Sequence, residues 1–293
     1  MNLIDGKKIA SEIIAELREA VARIQSQNGK IPHLAAVLIG EDPASQAYVK
    51  NKVRSCEAVG FASTLIRQPA DISEAALLKI VEDLNHNSDI DGFIVQLPLP
   101  RHIDEQKITL AIRPEKDVDG FHPVNVGRMA QGLPCYLPAT PMGILEMLKR
   151  CEIPTAGKEV VVLGRSNIVG TPIAILLSRK GYPGDATVTI CHSRTENLSA
   201  HTRRADILIA AIGRAEMVTG EMVKPGAVVI DVGINRVDDP THPKGYRLAG
   251  DVHFESVAPV CSWITPVPGG VGQLTVVSLL QNTLSASLKS VFG

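Results

Sequence analysis

A glycine-bounded turn after residue 163 has the composition of a phosphate-binding segment. The apolar run from Val160 to Leu163, the turn from Gly164 to Gly170 and the amphipathic continuation predict a strand, a tight turn and a helix. Gly164 permits a sharp turn, and Gly170 permits close packing of the helix on the strand. The helix N-terminus would then offer N–H groups and a positive dipole end to a phosphate.

The residues around this turn indicate which cofactor it binds. Ser166 stands in place of the middle glycine of a dinucleotide fingerprint, so the turn alone is a weak signal. After the next predicted strand, where an NAD site would have Asp or Glu against the ribose, the chain has Ser193 and Arg194. Hydroxyl and guanidinium groups bind a 2′-phosphate, and no carboxylate is there to repel it. The sequence therefore predicts an NADP site.

A second group of polar residues precedes this segment. Tyr48 and Lys52 are four apart on a predicted helix, so both side chains lie on one face. An arbitrary pair with this spacing is more often a surface lysine whose stem covers a tyrosine ring. Short-chain dehydrogenases use the same spacing, but their pair follows the nucleotide-binding unit, and here it precedes it. Gln96 ends a predicted buried strand, where it either faces a ligand crevice or bonds to nearby backbone.

Several proline- and glycine-rich turns are candidates for the walls of a site. Asp117 is interpreted as a turn or helix-cap residue, whereas Asp119 is kept as a candidate for binding. Leu97–Pro98 is a candidate cis peptide bond. Residues 231–235 predict a turn at a crevice rim. Residues 265–272 hold two prolines and three glycines, which predicts either a backbone closely approached by another group or a purely structural turn.

Composition excludes several function classes. The formal net charge of −1, with no sustained basic run, gives no electrostatic case for binding nucleic acid or an anionic membrane. We expect no transmembrane segment and no signal peptide. The eight histidines include no H-x-x-x-H pair, so we expect no metal site. Five cysteines without C-x-x-C spacing favour a reduced, cytoplasmic protein; they are Cys56, Cys135, Cys151, Cys191 and Cys261.

The alternation of helical and extended patterns predicts a parallel α/β fold with two domains. We expect a first domain over 1–122 plus 272–293 and a Rossmann-type NADP-binding domain over 123–271. The final amphipathic helix would return to the first domain, and 113–141 would be a linker and cleft wall. The predicted strands are 34–39, 92–97, 159–163, 187–191, 207–212 and 227–232.

Taken together, six motifs in this order resemble one family. Singly several are weak, but their order is highly specific, and the similarity runs from the first helix to the last. The chain is similar to the bifunctional methylenetetrahydrofolate dehydrogenase/methenyltetrahydrofolate cyclohydrolase family. The motifs are Tyr48-x-x-x-Lys52, Val95-Gln-Leu-Pro-Leu-Pro100, Pro114-Glu-Lys-Asp-Val-Asp-Gly120, Gly164-Arg-Ser-x-x-Val-Gly170, Asp231-Val-Gly-Ile-Asn235 and Ile264-Thr-Pro-Val-Pro-Gly-Gly-Val-Gly272.

The resemblance implies an enzyme of one-carbon metabolism whose substrates are tetrahydrofolate derivatives bound in a cleft between the two domains. The first domain, 1–122 plus 272–293, would then be the folate-side catalytic domain. It also implies a homodimer formed mainly through the NADP-binding domain. Tyr48 and Lys52 would lie at the reacting folate carbon, Gln96 beside the lysine and Asp119 on the pterin. The remaining folate-side assignments are Leu97, Pro268, Gly269 and Gly270, and the cofactor-side assignments are Gly164, Arg165, Ser166, Ser193, Arg194, Ile234 and Thr275.

One departure and two rival functions remain at this point. Where the family commonly has Pro-Met-Thr after Gly272, this chain has Gln273-Leu274-Thr275, so the shape of the folate side could differ. The nearest rival is another two-domain α/β NADP dehydrogenase acting on a small acid, of the shikimate or amino-acid type. A rival of another class is a folate- or nucleotide-sensing protein without turnover, which the presence of Tyr48, Lys52, Gln96 and Asp119 argues against.

Overall fold

A computed structural model describes residues 1–242 and 245–292. Residue 293 of the predicted folate-side domain and residues 243–244 of the predicted NADP-binding domain therefore lie outside the described residues. The chain forms two compact units. The large-sheet unit comprises Met1–Ala10 and Thr140–Thr275, and the small-sheet unit comprises Ser11–Ala139 and the chain from Val276 onward.

Both units consist of alternating strands and helices. The strands are β1 (Asn2–Leu3), β2 (His33–Ile39), β3 (Ala62–Gln68), β4 (Gly92–Val95), β5 (Glu159–Leu163), β6 (Thr187–Cys191), β7 (Ile207–Ala210), β8 (Val228–Asp231), β9 (Asn235–Asp238), β10 (Tyr246–Ala249) and β11 (Trp263–Ile264). The helices are α1 (Gly6–Ser26), α2 (Pro43–Val59), α3 (Glu74–His86), α4 (Glu105–Ala111), α5 (Pro123–Ala130), α6 (Ala139–Arg150), α7 (Gly170–Ser178), α8 (Leu198–Thr202), α9 (Phe254–Val257) and α10 (Val271–Ser287).

The small-sheet unit contains a parallel sheet in the order β3-β2-β4. Strand β2 is buried along almost its whole length, as expected for a central parallel strand whose two faces are covered. Its core includes Val37, Leu77, Phe93 and Ile108, each at most 2% exposed. Strand β3 has no counterpart among the predicted strands, because as an edge strand it is only half-buried and carries polar residues.

Residues 113–139 of the predicted linker over 113–141 are instead an integral part of the small-sheet unit. The Asp117 carboxylate accepts hydrogen bonds from the backbone N–H of His122 and the side-chain amide of Asn125. His122 in turn caps the start of α5, since its Nδ1 accepts from the N–H of Val124 at 3.1 Å. Residues 123–139 consequently pack with the residues before them, and the predicted boundary at 122/123 differs from the structural one.

The large-sheet unit is built on a six-stranded, all-parallel sheet in the order β1-β11-β8-β7-β5-β6. The N–H of Asn2 donates to the carbonyl of Ser262, so the first residues join this sheet rather than the predicted folate-side domain. Strand β5 lies between β6 and β7, so the chain leaves it on one side and returns on the other. Such a reversal opens a crevice at the carboxyl ends of the strands, where α/β proteins bind ligands.

The final helix α10 returns to the small-sheet unit, as expected. From Val276 onward its residues belong to that unit. Asn282 is 4% exposed, and its amide donates to the carbonyl oxygens of Val118 at 2.8 Å and Leu137 at 2.9 Å. One side chain thus satisfies two backbone carbonyls beside the turn that carries Asp119.

We expect Asn282→Ala to lower the free energy of unfolding by about 1–3 kcal/mol, because two carbonyls lose their donor. Urea denaturation of the purified variant measures this loss. Ser287→Ala is the matched control, since among the described residues the Ser287 hydroxyl bonds to the Leu284 carbonyl of its own helix and to no other group. Equal stability of the two variants would contradict the assigned role of Asn282.

Candidate active site

Lys52 and Gln96 meet in the small-sheet unit. The Lys52 ammonium Nζ donates to Gln96 Oε1 at 3.2 Å, although the two residues lie on different elements, helix α2 and the exit of β4. The Gln96 amide nitrogen Nε2 donates to the Leu97 carbonyl at 2.7 Å, which turns Oε1 toward the lysine. Leu97–Pro98 is a cis peptide, as the sequence predicted. Gln96 is therefore fixed by the backbone on one side and fixes Lys52 on the other.

Helix α2 carries both Tyr48 and Lys52. It begins after Asp42, whose carboxylate accepts the N–H of Ser45 at 2.7 Å and so caps the first turn. The Tyr48 side chain is 45% exposed, which leaves its aromatic ring available for contact with a ligand. The lysine ammonium is directed to Gln96, so the pair differs from a surface lysine folded over a ring.

Asp117 and Asp119 have different environments, as the sequence predicted. Asp117 is 2% exposed and accepts three hydrogen bonds, from the N–H groups of Phe121 and His122 and the Asn125 amide. Burial raises the pKa of the Asp117 carboxyl to about 7, and these donors oppose the rise. Asp117 is therefore the residue that builds the turn.

Asp119, two residues later, is available for a ligand. Its side chain is only half-buried, and no hydrogen-bond partner for its carboxylate occurs among the residues that the structure describes. Burial raises the pKa of the Asp119 carboxyl, and the nearby charge of Lys52 partly offsets this. The structure thus brings Lys52, Gln96 and Asp119 together in one unit.

The turn after β5 requires both of its predicted glycines. Gly164 has a φ of +112°, and a Cβ there would lie 2.1 Å from the Ala211 carbonyl oxygen. A Cβ on Gly170 would lie 2.2 Å from the Gly164 carbonyl oxygen. Close approach of backbone to backbone, rather than turn flexibility alone, therefore selects glycine at these positions.

Ser166 bonds to backbone N–H groups at the N-terminus of α7, which the sequence predicts to face a phosphate. Its hydroxyl accepts from the N–H of Val169 at 3.2 Å and of Gly170 at 3.4 Å, and its carbonyl accepts from Thr171. Some of the N–H groups expected to face a phosphate are therefore satisfied by the turn itself. A ligand phosphate here would depend more on the exposed side chains than on the helix end.

The remaining cofactor-side candidates lie near the carboxyl edge of the same sheet. Leu163 and Cys191 are register partners in β5 and β6, so Arg165 and the pair Ser193–Arg194 follow neighbouring strand ends. All three side chains are exposed. A crevice at a strand reversal, a glycine turn and exposed guanidinium and hydroxyl donors fit a phosphorylated dinucleotide.

Ile234 and Thr275 stand near the last predicted motif. Ile234 follows β8 and is 46% exposed, and a Cβ on Gly272 would lie 3.1 Å from its Cδ1. The Thr275 hydroxyl is 3.0 Å from that of Thr140. Both residues thus have defined neighbours within the large-sheet unit.

The proline- and glycine-rich segment 265–272 is closely approached by the protein's own backbone. A Cβ on Gly6 would lie 2.2 Å from the Gly270 carbonyl oxygen and 2.7 Å from that of Gly269. Gly269 has a φ of +108°, and Val267–Pro268 is a cis peptide. The first residue of α1 is therefore one group that packs against bare peptide here.

Two kinds of feature are missing from the residues that the structure describes. No cluster of three or more His, Cys, Asp or Glu side chains that could hold a metal ion occurs among them. Within the same residues, no helix has the length and apolar character needed to cross a bilayer.

Comparison with known proteins identifies the family. Residues 4–119 match the model of the tetrahydrofolate dehydrogenase/cyclohydrolase catalytic domain, and residues 138–291 match that of the NAD(P)-binding domain of the same family. The chain belongs to the tetrahydrofolate dehydrogenase/cyclohydrolase family. The resemblance drawn from the six sequence motifs is thereby confirmed.

Relatives cover the chain from end to end. The bifunctional protein FolD of Bacteroides thetaiotaomicron is 58% identical over 292 residues, with 100% of both chains covered. The solved structure of the bifunctional enzyme FolD from Campylobacter jejuni is 43% identical, with a TM-score of 0.92 and 99% of each chain covered. That of the Trypanosoma brucei enzyme, complexed with NADP cofactor and inhibitor, is 40% identical with a TM-score of 0.93, covering 99% of this chain and 98% of its own.

The two family domains contain the two groups of candidate residues. Tyr48, Lys52, Gln96 and Asp119 fall within the catalytic-domain match, which ends at Asp119 itself. The glycine turn and the exposed donors fall within the NAD(P)-binding match. Sequence reasoning did not single out Asp251, a fully buried carboxylate in that second domain. The sequence signal that could have found Asp251 is its position just after a strand. That strand, β10, belongs to a short hairpin that was not predicted.

Proposed function

We propose that this protein oxidises 5,10-methylenetetrahydrofolate with NADP and hydrolyses the resulting 5,10-methenyltetrahydrofolate to 10-formyltetrahydrofolate. The observation that carries this proposal is the contact between Lys52 and Gln96 beside an available Asp119, in a full-length member of the family. This combination provides a group that can move a proton and a separate group that can hold the pterin. A dehydrogenase acting on a small acid would have no need of the second group.

NADP would be held by the large-sheet unit. The Trypanosoma brucei relative was solved with NADP, and the residues around Gly164 here fit such a ligand. Arg165, Ser193 and Arg194 would hold the 2′-phosphate through exposed donors, with Ser166, Ile234 and Thr275 on the cofactor side. When bound, NADP supplies a hydride acceptor for the bridging carbon of the folate. Alignment is the protein's main contribution to that step.

Lys52 would handle the proton of the hydration step. Water must lose a proton as it attacks the methenyl carbon, and the departing ring nitrogen must gain one. In its neutral amine form Lys52 Nζ would accept the first proton, and the ammonium so formed would deliver a proton to that nitrogen. Gln96 Oε1 can only accept, so it engages one N–H of Nζ in either protonation state and leaves the rest of the amine toward the substrate.

Asp119 would bind the pterin, and Tyr48 would lie against the folate. A carboxylate can accept from the pterin ring N–H and the amino group together. Such paired donation favours the ionised form, which burial disfavours in the free protein. Leu97, Pro268, Gly269 and Gly270 complete the proposed folate-side contacts. Gln273 is exposed next to this segment, where the chain departs from the family pattern.

We further propose a homodimer formed through the NADP-binding domain, a cytoplasmic location, and use of the 10-formyl product as a one-carbon donor in purine biosynthesis. The large-sheet unit supports the first point by exposing Leu248 by 40% and Phe254 by 38%. The mass of the purified protein in solution tests it, since a monomer would contradict it.

The purified protein should reduce NADP in the presence of methylenetetrahydrofolate and much less efficiently reduce NAD. Changing Arg165 and Arg194 to alanine should weaken NADP binding by roughly tenfold or more, because charged donors to the 2′-phosphate are lost. NAD binding should change little. Absorbance of the reduced cofactor and titration calorimetry measure both effects.

Arg203→Ala is the control for this pair, since Arg203 is an exposed arginine of the same unit. Equal losses for NADP and NAD would place the 2′-phosphate elsewhere. Turnover with small hydroxy or amino acids instead of folate would favour the rival dehydrogenase, and ligand binding without turnover would favour a sensor.

Lys52→Met should impair the hydration step much more than the dehydrogenation step. Methionine keeps much of the apolar stem but cannot transfer a proton, so hydration should fall at least about a hundredfold. Dehydrogenation should fall less, because hydride transfer needs no proton from the enzyme. Accumulation of the methenyl absorbance measures the difference, with Lys50→Met on the exposed part of the same helix as control. Preserved hydration with impaired hydride transfer would make Lys52 a positioning residue.

Asp119→Asn should abolish folate binding and both activities while NADP binding persists. The substitution keeps the size but presents a donor to the pterin amino group. In the wild type, folate affinity should weaken as the pH falls, beginning above the usual range of an aspartate because the pKa of Asp119 is raised. Binding titrations across pH test this, with Asp83→Asn as an exposed control. Near-normal folate affinity of the Asn variant would remove Asp119 from the pterin site.

A further inference from the structure

Two buried carboxylates lie side by side in the large-sheet unit. Asp251 is 0% exposed and Asp231 is 3% exposed. In the described part of the chain neither forms an ion pair, and the charge that acts on Asp231 is that of Asp251. Burying a carboxylate without a cation is costly unless hydrogen bonds replace its hydration. The donors around the two groups therefore need an explanation.

Asp251 accepts from three consecutive backbone N–H groups of one loop. Its Oδ2 accepts from Ile212 at 2.6 Å and Gly213 at 2.9 Å, and its Oδ1 accepts from Arg214 at 2.9 Å. This loop follows β7 directly. A fourth bond comes from the side-chain amide of Asn235, at 2.9 Å from Oδ1, and Asn235 closes the loop after β8. One carboxylate thus holds two loops.

Asp231 fastens the second loop to the segment that carries Asp251. Its Oδ1 accepts from the N–H groups of Gly233 and Asp251, both at 2.9 Å, and its Oδ2 accepts from Val252 at 3.0 Å. Its own N–H donates to the Thr265 hydroxyl at 2.7 Å, at the start of the proline- and glycine-rich segment. The two side chains form one network across three strand ends.

The surrounding backbone is shaped to admit these carboxylates. A Cβ on Gly250 would lie 1.7 Å from Asp231 Oδ2, and a Cβ on Gly233 would lie 2.4 Å from Asp251 Oδ1. Each carboxylate therefore occupies space that a glycine leaves open. The backbone around the two carboxylates is therefore shaped to hold them in these positions before any ligand binds.

The loops held in this way border the proposed cofactor site. The loop after β8 carries Ile234, which is exposed. Ala211, the residue before the loop of Ile212, lies so close to Gly164 that a Cβ there would clash with its carbonyl. The network consequently controls the spacing between the glycine turn and its two neighbouring loops.

We propose that Asp231 and Asp251 are positioning residues for NADP, which hold the loops 212–214 and 232–235 at the spacing that the dinucleotide requires. They act through these loops and do not themselves touch the cofactor. The proposal rests on the proposed function, because it assumes that NADP binds in this crevice.

The test is Asp251→Asn in the full-length protein. An asparagine amide keeps one acceptor and turns its NH₂ group toward N–H donors, so either the Ile212–Gly213 pair or the Arg214–Asn235 pair loses its partner. The dissociation constant for NADP, measured by calorimetry, should rise about tenfold or more. The dissociation constant for tetrahydrofolate should stay within about twofold, because its main proposed contacts, Lys52, Gln96 and Asp119, lie in the small-sheet unit.

Two further variants keep the test interpretable. Asn235→Ala removes the 2.9 Å side-chain bond to Asp251 and a longer one, at 3.4 Å, to the Ala249 carbonyl. The Asp251 carboxylate keeps its backbone donors, so this variant should fold even if Asp251→Asn does not, and it should weaken NADP binding by a smaller factor. Asp206→Asn is the matched control, because Asp206 also accepts a backbone N–H, from Glu159 at 3.0 Å, but at the amino end of β7. It should lower stability without changing the NADP dissociation constant.

Hydrogen exchange of the amides of 212–214 supplies a local readout. Faster exchange there together with weaker NADP binding supports the proposal. Normal NADP affinity in both Asp251→Asn and Asn235→Ala would overturn it, and so would equal losses for NADP and tetrahydrofolate, which indicate general destabilisation. Failure of the wild type to bind NADP would contradict the proposed function instead.

Discussion

Backbone N–H groups in the turns and loops beyond the strands impose the constraint on which both candidate sites depend. There the sheet hydrogen bonds stop, yet much of the chain remains buried, and an unpaired buried N–H costs about 1–3 kcal/mol. In the small-sheet unit Asp117 accepts two such groups, in the turn that leads into α5. In the large-sheet unit Asp231 and Asp251 accept six between them, four after the parallel strands β7 and β8 and two after the hairpin strand β10. Carboxylates thus take the place of the sheet hydrogen bonds and fix the loops that carry the exposed candidate side chains.

Burying these carboxylates costs free energy, and the cost is reflected in their raised pKa values. Burial raises the pKa of Asp117 to about 7 and that of Asp231 to about 6. In each case the folded protein binds a proton more tightly than the unfolded chain does. The free energy of unfolding therefore falls as the pH rises from the ordinary pKa of an aspartate to these raised values, because the carboxyls of the unfolded chain ionise first. A fold that retains such groups gives up stability for defined loops, as is common at functional sites.

The sequence carried much of this architecture, and the failures have physical causes. The turn at Gly164 and Gly170 was predictable because close backbone approach excludes every other residue. Strand β3 was missed because an edge strand need not be apolar. Helix α5 was mistaken for part of a linker because prolines and glycines flank it, while the bonds of Asp117 that hold it connect residues through space. Asp251 was missed because its donors are 37 to 39 residues away in the chain, where no local pattern shows them.

Ser166, in place of the middle glycine of a dinucleotide fingerprint, changes which groups are available to bind a phosphate. A glycine at this position would leave the N–H groups of Val169 and Gly170 open to a phosphate, but the serine hydroxyl accepts from both of them. The positive end of α7 still favours an anion nearby, because capping does not cancel the aligned peptide dipoles. Direct donors to the cofactor must then come from side chains. Under the proposed function Arg165 and Arg194 would meet that need with charge, so that the turn would bind a phosphorylated dinucleotide without a third glycine.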